Sequence, residues 1–177
     1  MPDRGTYIEV DGRPAVRFRR VYPHPLARVW TAVSEPAELR HWFPSAVVLS
    51  PDDPGRVEFR DDPHAPPSVG RVLVHEPPRR LAVSWGDDEL HVELEPVAEG
   101  TRLTLVNVLG RRDAAARNAA GWSVCLAELD KLLRGVPGTG PHGDGAEPWR
   151  DHYDAYLAAG LPCGAPVPAA PDPVPGG

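Results

Sequence analysis

The chain has 177 residues, a formal net charge of -6 and a pI near 5.6. This acidic balance argues against nucleic acid or an anionic membrane as the main partner. Charged residues make up 25% and hydrophobic residues 41%, which is typical of one globular domain with its own core. No apolar run approaches the roughly 20 residues that span a bilayer, so membrane insertion is not expected.

The amino-terminal stretch MPDRGTYIEV lacks the basic-then-apolar order of a signal peptide. The two cysteines, Cys125 and Cys163, form no disulfide framework. We therefore expect a cytoplasmic protein. Residues 1–14 are interpreted as a lead-in, in which Asp11-Gly12 is a turn signal.

A strand is predicted over residues 14–22, where apolar residues alternate with arginines. Two short helices should follow, over residues 26–34 and 36–42. The first is indicated by apolar residues at helical spacing, and Ser34 is the predicted cap of the second.

From residue 46 the apolar period changes to two, which predicts six further strands. Their connections are short and rich in Asp, Gly and Pro, as in PDDPG and Gly86-Asp87-Asp88. Such short links require an antiparallel meander. The predicted strands cover residues 46–50, 56–60, 69–76, 80–85, 89–95 and 102–109.

The longest helical pattern covers residues 113–134, with Asp113 as the predicted cap and Gly135 as the stop. One face of this helix carries Ala115, Ala119, Trp122, Leu126, Leu129 and Leu133. The small residues of its first half, with Gly121, indicate either close packing or a hollow beneath the helix. The element order predicts an α+β fold, in which a curved antiparallel sheet of about seven strands surrounds the long helix.

Many of the 23 prolines follow Gly135. We interpret residues 15–135 as the compact domain and residues 136–146 as a linker. The aromatic residues of the short helix predicted over 147–160 need burial, so we expect this helix to dock on the domain. Residues 161–177 are interpreted as a disordered tail rich in proline and glycine.

Five segments, taken in order over residues 15–134, resemble the SRPBCC (START-like) superfamily: FRRVYPHPLARVWTAVSEPAELRHWFP, PGRVEFR, GRVLVHEPPRRLAVSW, EGTRLTLVN and AAGWSVCLAELDKLL. Within it they are most similar to the branch named for activators of a heat-shock chaperone ATPase. The resemblance implies a helix-grip fold with a cavity between the sheet and the carboxy-terminal helix. Members of the branch often have a histidine where this chain has Asn107, and an amide could not perform an acid–base role.

In a helix-grip fold, side chains from the second helix, the strands and the long helix would surround that cavity. The expected lining residues are Trp42, Phe43, Arg71, Leu73, Trp85, His91, Leu105, Asn107, Ala115, Asn118, Ala119 and Trp122. The alternative for the tryptophans is plain core, for Asn107 a satisfied core hydrogen bond, and for His91 a surface position. No catalytic motif is present and the histidines lack ligand spacing, so no catalytic residue, metal or cofactor is predicted.

The sequence thus favours a binding protein for a small apolar or aromatic, lipid-like molecule held in an internal hydrophobic cavity. One alternative is a polyketide cyclase/dehydratase-like enzyme that would use His91, Arg71 or Asn107. A second alternative, implied by the branch name, is a co-chaperone-like stimulator of a chaperone ATPase. Whether the chain forms a homodimer or binds a chaperone stays open.

Overall fold

Eight antiparallel strands form one sheet in the computed structural model, which describes residues 4–168. They are β1 Thr6–Val10, β2 Arg13–Tyr22, β3 Ala46–Leu49, β4 Arg56–Arg60, β5 Ser68–Glu76, β6 Arg80–Trp85, β7 Asp88–Val97 and β8 Gly100–Val108. Their order across the sheet is β1-β2-β8-β7-β6-β5-β4-β3. Strands β3 to β8 thus form the predicted meander. Strand β2 pairs with β8, and β1 pairs with β2 at the edge of the sheet.

Four α-helices accompany the sheet within these residues: α1 Leu26–Ser34, α2 Pro36–Leu39, α3 Ala115–Arg134 and α4 Trp149–Ala158. Helix α3 packs against β2 and α1, while α1 packs against β7 and β8. This arrangement confirms the predicted α+β helix-grip fold. None of the helices in residues 4–168 is both long and apolar enough to cross a membrane.

Strand β1 is the main addition to the predicted elements, and it lies in the stretch interpreted as a lead-in. It forms a hairpin with β2 through Asp11 and Gly12, which both have positive φ, 49° and 77°. Positive φ at both central residues is the geometry that joins two antiparallel strands most tightly. The sheet therefore has eight strands rather than about seven.

The predicted helix caps differ from the observed ones. Asp113 lies in a 3-10 turn, where Arg111 donates to its carboxylate, and Ala114 occupies the cap position of α3. Ser34 donates from Oγ to the Trp30 carbonyl oxygen inside α1 instead of capping α2. Both cap predictions are wrong because a nearer partner takes the side chain. Gly135 does end α3 as predicted, in the left-handed conformation with φ 67°.

A bulge in β5 changes which side chains face the interior. Val72 pairs with Val83, but Val74 pairs with Ala82, so Leu73 is an extra residue in the strand. Beyond the bulge the alternation of faces is reversed. Val74 therefore lies on the outer side with Ala82 and His91, and the His75 ring lies near Trp30 of α1. Leu73 points outward as Arg71 does, because Val72 between them packs against the core, and 47% of its surface is exposed.

Helix α3 is covered on a second side by α4, which packs against it. The Oγ of Ser123 lies 2.7 Å from the hydroxyl of Tyr156. A Cβ placed on Gly121 would meet only Nε1 of Trp149, at 4.0 Å. Gly121 therefore faces α4, so of the two alternatives for this glycine, a hollow beneath α3 does not apply.

The segment between α3 and α4 packs against α3 and against the turn that precedes β3. Glu128, which is buried, accepts a hydrogen bond from the Gly140 N–H at 3.0 Å. His142 contacts the Pro44 carbonyl oxygen through Nε2 at 2.8 Å. Beyond α4, the Pro162 carbonyl oxygen accepts from the Ala116 N–H. Of the predicted tail, residues 169–177 lie outside the described residues.

Candidate functional site

Five aromatic side chains, here called the aromatic cluster, meet between the sheet and α3: Trp42, Phe43, Phe59, Trp85 and Trp122. Phe43 is at the centre, with its ring centroid 5.3 to 6.1 Å from those of the other four. Phe59 and Trp85 stack at 5.1 Å, and Trp85 meets Trp122 edge-on at 5.9 Å. The cluster thus joins β4, β6, α3 and the turn after α2.

These centroid distances are those of aromatic rings in direct contact. The space that the sequence predicts between Trp42, Trp85 and Trp122 is therefore occupied by the rings themselves, with Phe43 and Phe59. This is the arrangement expected if the tryptophans are core residues. Trp42 and Trp122 are buried, whereas Trp85 is only half-buried, so the aromatic cluster reaches the surface at Trp85.

A second group, here called the polar cluster, consists of Asp88, Asn107 and Asn118. Asn107 is only 2% exposed. Its side-chain oxygen Oδ1 accepts hydrogen bonds from Nε1 of Trp122 at 3.1 Å and from Nδ2 of Asn118 at 3.0 Å. Its own Nδ2 donates to Oδ2 of Asp88 at 3.0 Å. Asn107 is thus a satisfied buried amide that links the polar cluster to the aromatic cluster.

Asp88 is the titratable member of the polar cluster. Its Oδ2 also accepts from Nδ2 of Asn118 at 3.0 Å, and its Oδ1 accepts from the Gly110 N–H at 2.9 Å. Across the β6–β7 hairpin Asp88 pairs directly with Trp85, so both side chains lie on the inner face of the sheet. The hydrogen bonds hold this half-buried carboxylate beside the aromatic cluster.

Most of the predicted lining residues lie in this interior. The inward side chains are those of Trp42, Phe43, Trp85, Leu105, Asn107, Ala115, Asn118, Ala119 and Trp122. Three predicted lining residues lie elsewhere and are corrections: Arg71, Leu73 and His91. Leu73 lies on the same outward side of β5 as Arg71, since Val72 between them packs against the core.

Arg71 and His91 lie on the outer face of the sheet, each in contact with a carboxylate. Arg71 binds Oδ2 of Asp53 at 2.7 Å, and this hydrogen bond lowers the pKa of the Asp53 carboxyl. Nε2 of His91 lies 2.9 Å from Glu89, whose pKa is lowered by hydrogen bonds from His91 and from Arg13. The enzymatic alternative therefore loses two of its three candidate groups.

The outer face also carries two depressions. One, of about 60 Å³, lies over β5 to β8 and includes His91. The other, of about 270 Å³, is lined by Arg19, Glu93, Glu95, Arg102 and Thr104. Neither coincides with the aromatic cluster, and the larger one carries charges of both signs.

Other chemistry finds little support in the part of the chain that the structure describes. No group of three His, Cys, Asp or Glu side chains in residues 4–168 could hold a metal ion. Cys125 is buried, and this burial raises the pKa of its thiol. A thiol with a raised pKa is a poor nucleophile.

The sequence analysis did not predict Asp88 as a candidate functional residue. It assigned Asp88 to a turn, where Asp is common for backbone reasons. A signal for it was present in β7. Residues two apart in a strand point to the same face, so Asp88 shares its face with Leu90, Val92 and Leu94, which are buried. A carboxylate in line with three apolar residues is unusual enough to mark a site.

A curved antiparallel sheet around a carboxy-terminal helix, with an aromatic interior, defines a helix-grip protein of the SRPBCC superfamily. Residues 23–134 match the family model described as Activator of Hsp90 ATPase homolog 1-like protein. The chain belongs to this family. No protein of curated function matches the sequence significantly.

Solved structures share the fold at low sequence identity. CalU16 from Micromonospora echinospora is 23% identical, with a TM-score of 0.68 over 89% of this chain and 98% of its own. The conserved protein of unknown function EF2215 from Enterococcus faecalis is 17% identical, with a TM-score of 0.67 over 88% of this chain and 89% of its own. BPP1335 from Bordetella parapertussis is 24% identical, with a TM-score of 0.62 over 89% and 90%.

Proposed function

We propose that this protein binds a small apolar or aromatic molecule in the helix grip, at the aromatic cluster. The observation that carries the proposal is the convergence of five aromatic rings on one place that reaches the surface at Trp85. Ring faces of this kind provide stacking surface for a flat apolar ligand.

Because the rings fill the interior, a ligand needs one of them to move. Phe43 is the best candidate, since it lies in the turn between α2 and β3 rather than in a regular element. Side chains on irregular segments rearrange more easily than those on packed strands. In this proposal the ligand stacks on Trp85 and takes the position of the Phe43 ring.

The test is a titration with a neutral environment-sensitive dye such as Nile red. Energy transfer from tryptophan to the dye measures binding. The Phe43→Ala variant should bind more tightly, because its space is already open, although the lost ring costs about 3–5 kcal/mol of stability. Trp85→Ala should weaken binding by removing the stacking surface. The matched control is Leu73→Ala, an exposed residue that should leave binding unchanged.

Dye binding that neither Phe43→Ala nor Trp85→Ala alters would contradict the proposal, and so would the absence of binding to every variant. The cyclase-like and co-chaperone-like alternatives have no specific contact in their favour within residues 4–168. The cytoplasm remains the proposed location, since the free cysteines Cys125 and Cys163 agree with a reducing compartment.

A further inference from the structure

We propose that the ligand carries a positive charge. It would be an organic cation, an amine or quaternary ammonium group on an apolar or aromatic body, with its nitrogen between Asp88 and Trp85. This inference rests on the proposed function and adds the chemical class of the ligand. It follows from the position of Asp88, from its lack of a cationic partner, and from the rings beside it.

The first argument is position. Asp88 and Trp85 are direct partners in the β6–β7 pairing, and Val83 with Leu90 is the next pair on the same inner face. Side chains directly opposite each other in an antiparallel pair have Cβ atoms about 4.5–5.5 Å apart. The side chains of Asp88 and Trp85 therefore extend from neighbouring backbone positions at the surface end of the aromatic cluster.

The second argument is charge. The hydrogen bonds to Asp88 come from Asn107, Asn118 and the Gly110 N–H, which are neutral donors. They orient the carboxylate without neutralising it. Among the ion pairs of residues 4–168, none includes Asp88. A half-buried carboxylate without a cation is a position that a cationic ligand would complete.

The nearby guanidinium groups of α3 and its preceding turn are engaged elsewhere. Arg117 donates from Nε to Oδ1 of Asn118 and from its terminal nitrogen to the Pro166 carbonyl oxygen. Arg111 pairs with Asp113. Both side chains therefore have acceptors other than Asp88.

The third argument is the rings. The faces of tryptophan attract cations through the ring quadrupole, and Trp85 and Trp122 meet beside the polar cluster at 5.9 Å. Trp122 turns its N–H edge toward Asn107, so Trp85 is the ring that would contact the cation. A carboxylate near this ring favours an organic ammonium over a neutral molecule of the same shape. The same carboxylate would repel a fatty acid or another anionic ligand.

The experiment compares two probes of one shape, benzyltrimethylammonium and neutral neopentylbenzene, by quenching of tryptophan fluorescence. The full-length protein should bind the cation about tenfold more tightly, as expected for a desolvated cation–π contact with an adjacent carboxylate. Added salt should reduce this preference by screening. Asp88→Asn should reduce the preference to the part that the rings supply, while it retains binding of the neutral probe.

Asp87→Asn is the matched control, because it removes the same charge one residue away on an exposed turn. It should keep the preference for the cation. Equal affinity of the unaltered protein for both probes overturns this inference and leaves the proposed function intact. Failure of both probes to bind overturns the proposed function. The probe comparison needs no variant, so an Asp88→Asn protein that fails to fold does not affect this outcome.

Discussion

At the scale of single residues, Asn107 is the polar group whose hydrogen bonds organise the interior. It satisfies the indole N–H of Trp122 and donates to Asp88, and it is 2% exposed. A buried polar group that loses its partner pays its full desolvation cost. The residue therefore contributes to stability as well as to the shape of the candidate site.

The prediction is that Asn107→Leu lowers the free energy of unfolding by about 1–3 kcal/mol, because Trp122 and Asp88 both lose a partner. Urea denaturation measures the change. Thr104→Val, on the outer side of the same strand, is the control and should stay within about 0.5 kcal/mol of the parent. Equal effects of the two substitutions would show that the hydrogen bonds of Asn107 add no stability.

Gly121 is the residue of α3 that lies nearest to Trp149 of α4 without a side chain of its own. This glycine lies inside α3, where it costs about 1 kcal/mol relative to alanine. The space in front of it holds only Nε1 of Trp149, at an ordinary contact distance.

At the scale of elements, Gly121 thus tests how α4 packs on α3. Gly121→Ala should stabilise the protein by about 0.4–1 kcal/mol, since a methyl group fits and the unfolded chain loses freedom. The expected rise in Tm is about 1–4 °C for a chain of this size. Gly121→Leu should instead lower Tm, because its larger side chain pushes against Trp149. A lower Tm for the alanine variant would show that α4 needs the bare backbone.

The elements themselves were largely predictable from the sequence, because apolar periodicity and turn residues agree along most of the chain. Strands β4 and β6 have the predicted bounds, and α1 has them too. Strand β1 was not predicted, because its five residues TYIEV alternate too briefly to be distinguished from a lead-in. The hairpin turn Asp11-Gly12 was the signal for it.

The candidate site was predictable only in part. Parity along β8 and helical spacing along α3 correctly placed Asn107 and Trp122 in the interior. In β5 the alternation left open which of the two faces is buried, and Val72 rather than Arg71 and Leu73 packs against the core. The filling of the interior by Phe43 and Phe59 depends on how a turn folds over the sheet, which periodicity does not specify.

At the scale of the whole molecule, Gly5 before β1 meets Tyr156 of α4 beside α3. The Gly5 N–H donates to the hydroxyl of Tyr156 at 2.9 Å, and the same hydroxyl bonds to Ser123. These contacts cross both predicted boundaries of the compact domain, residues 15 and 135. We therefore infer that β1 and α4 belong to the cooperative unit that folds.

A chain ending at Gly135 tests this inference against the predicted boundary. It loses the burial of Tyr153 and Tyr156, each a residue that contributes about 1.5–3 kcal/mol when buried. We expect a loss of about 3–6 kcal/mol in the free energy of unfolding, measured by urea denaturation, and a fall in Tm. The control is a chain ending at Pro168, which keeps every contact described above. Equal stability of the two shortened chains would instead support residues 15–135 as a self-sufficient domain, with α4 as an appended helix.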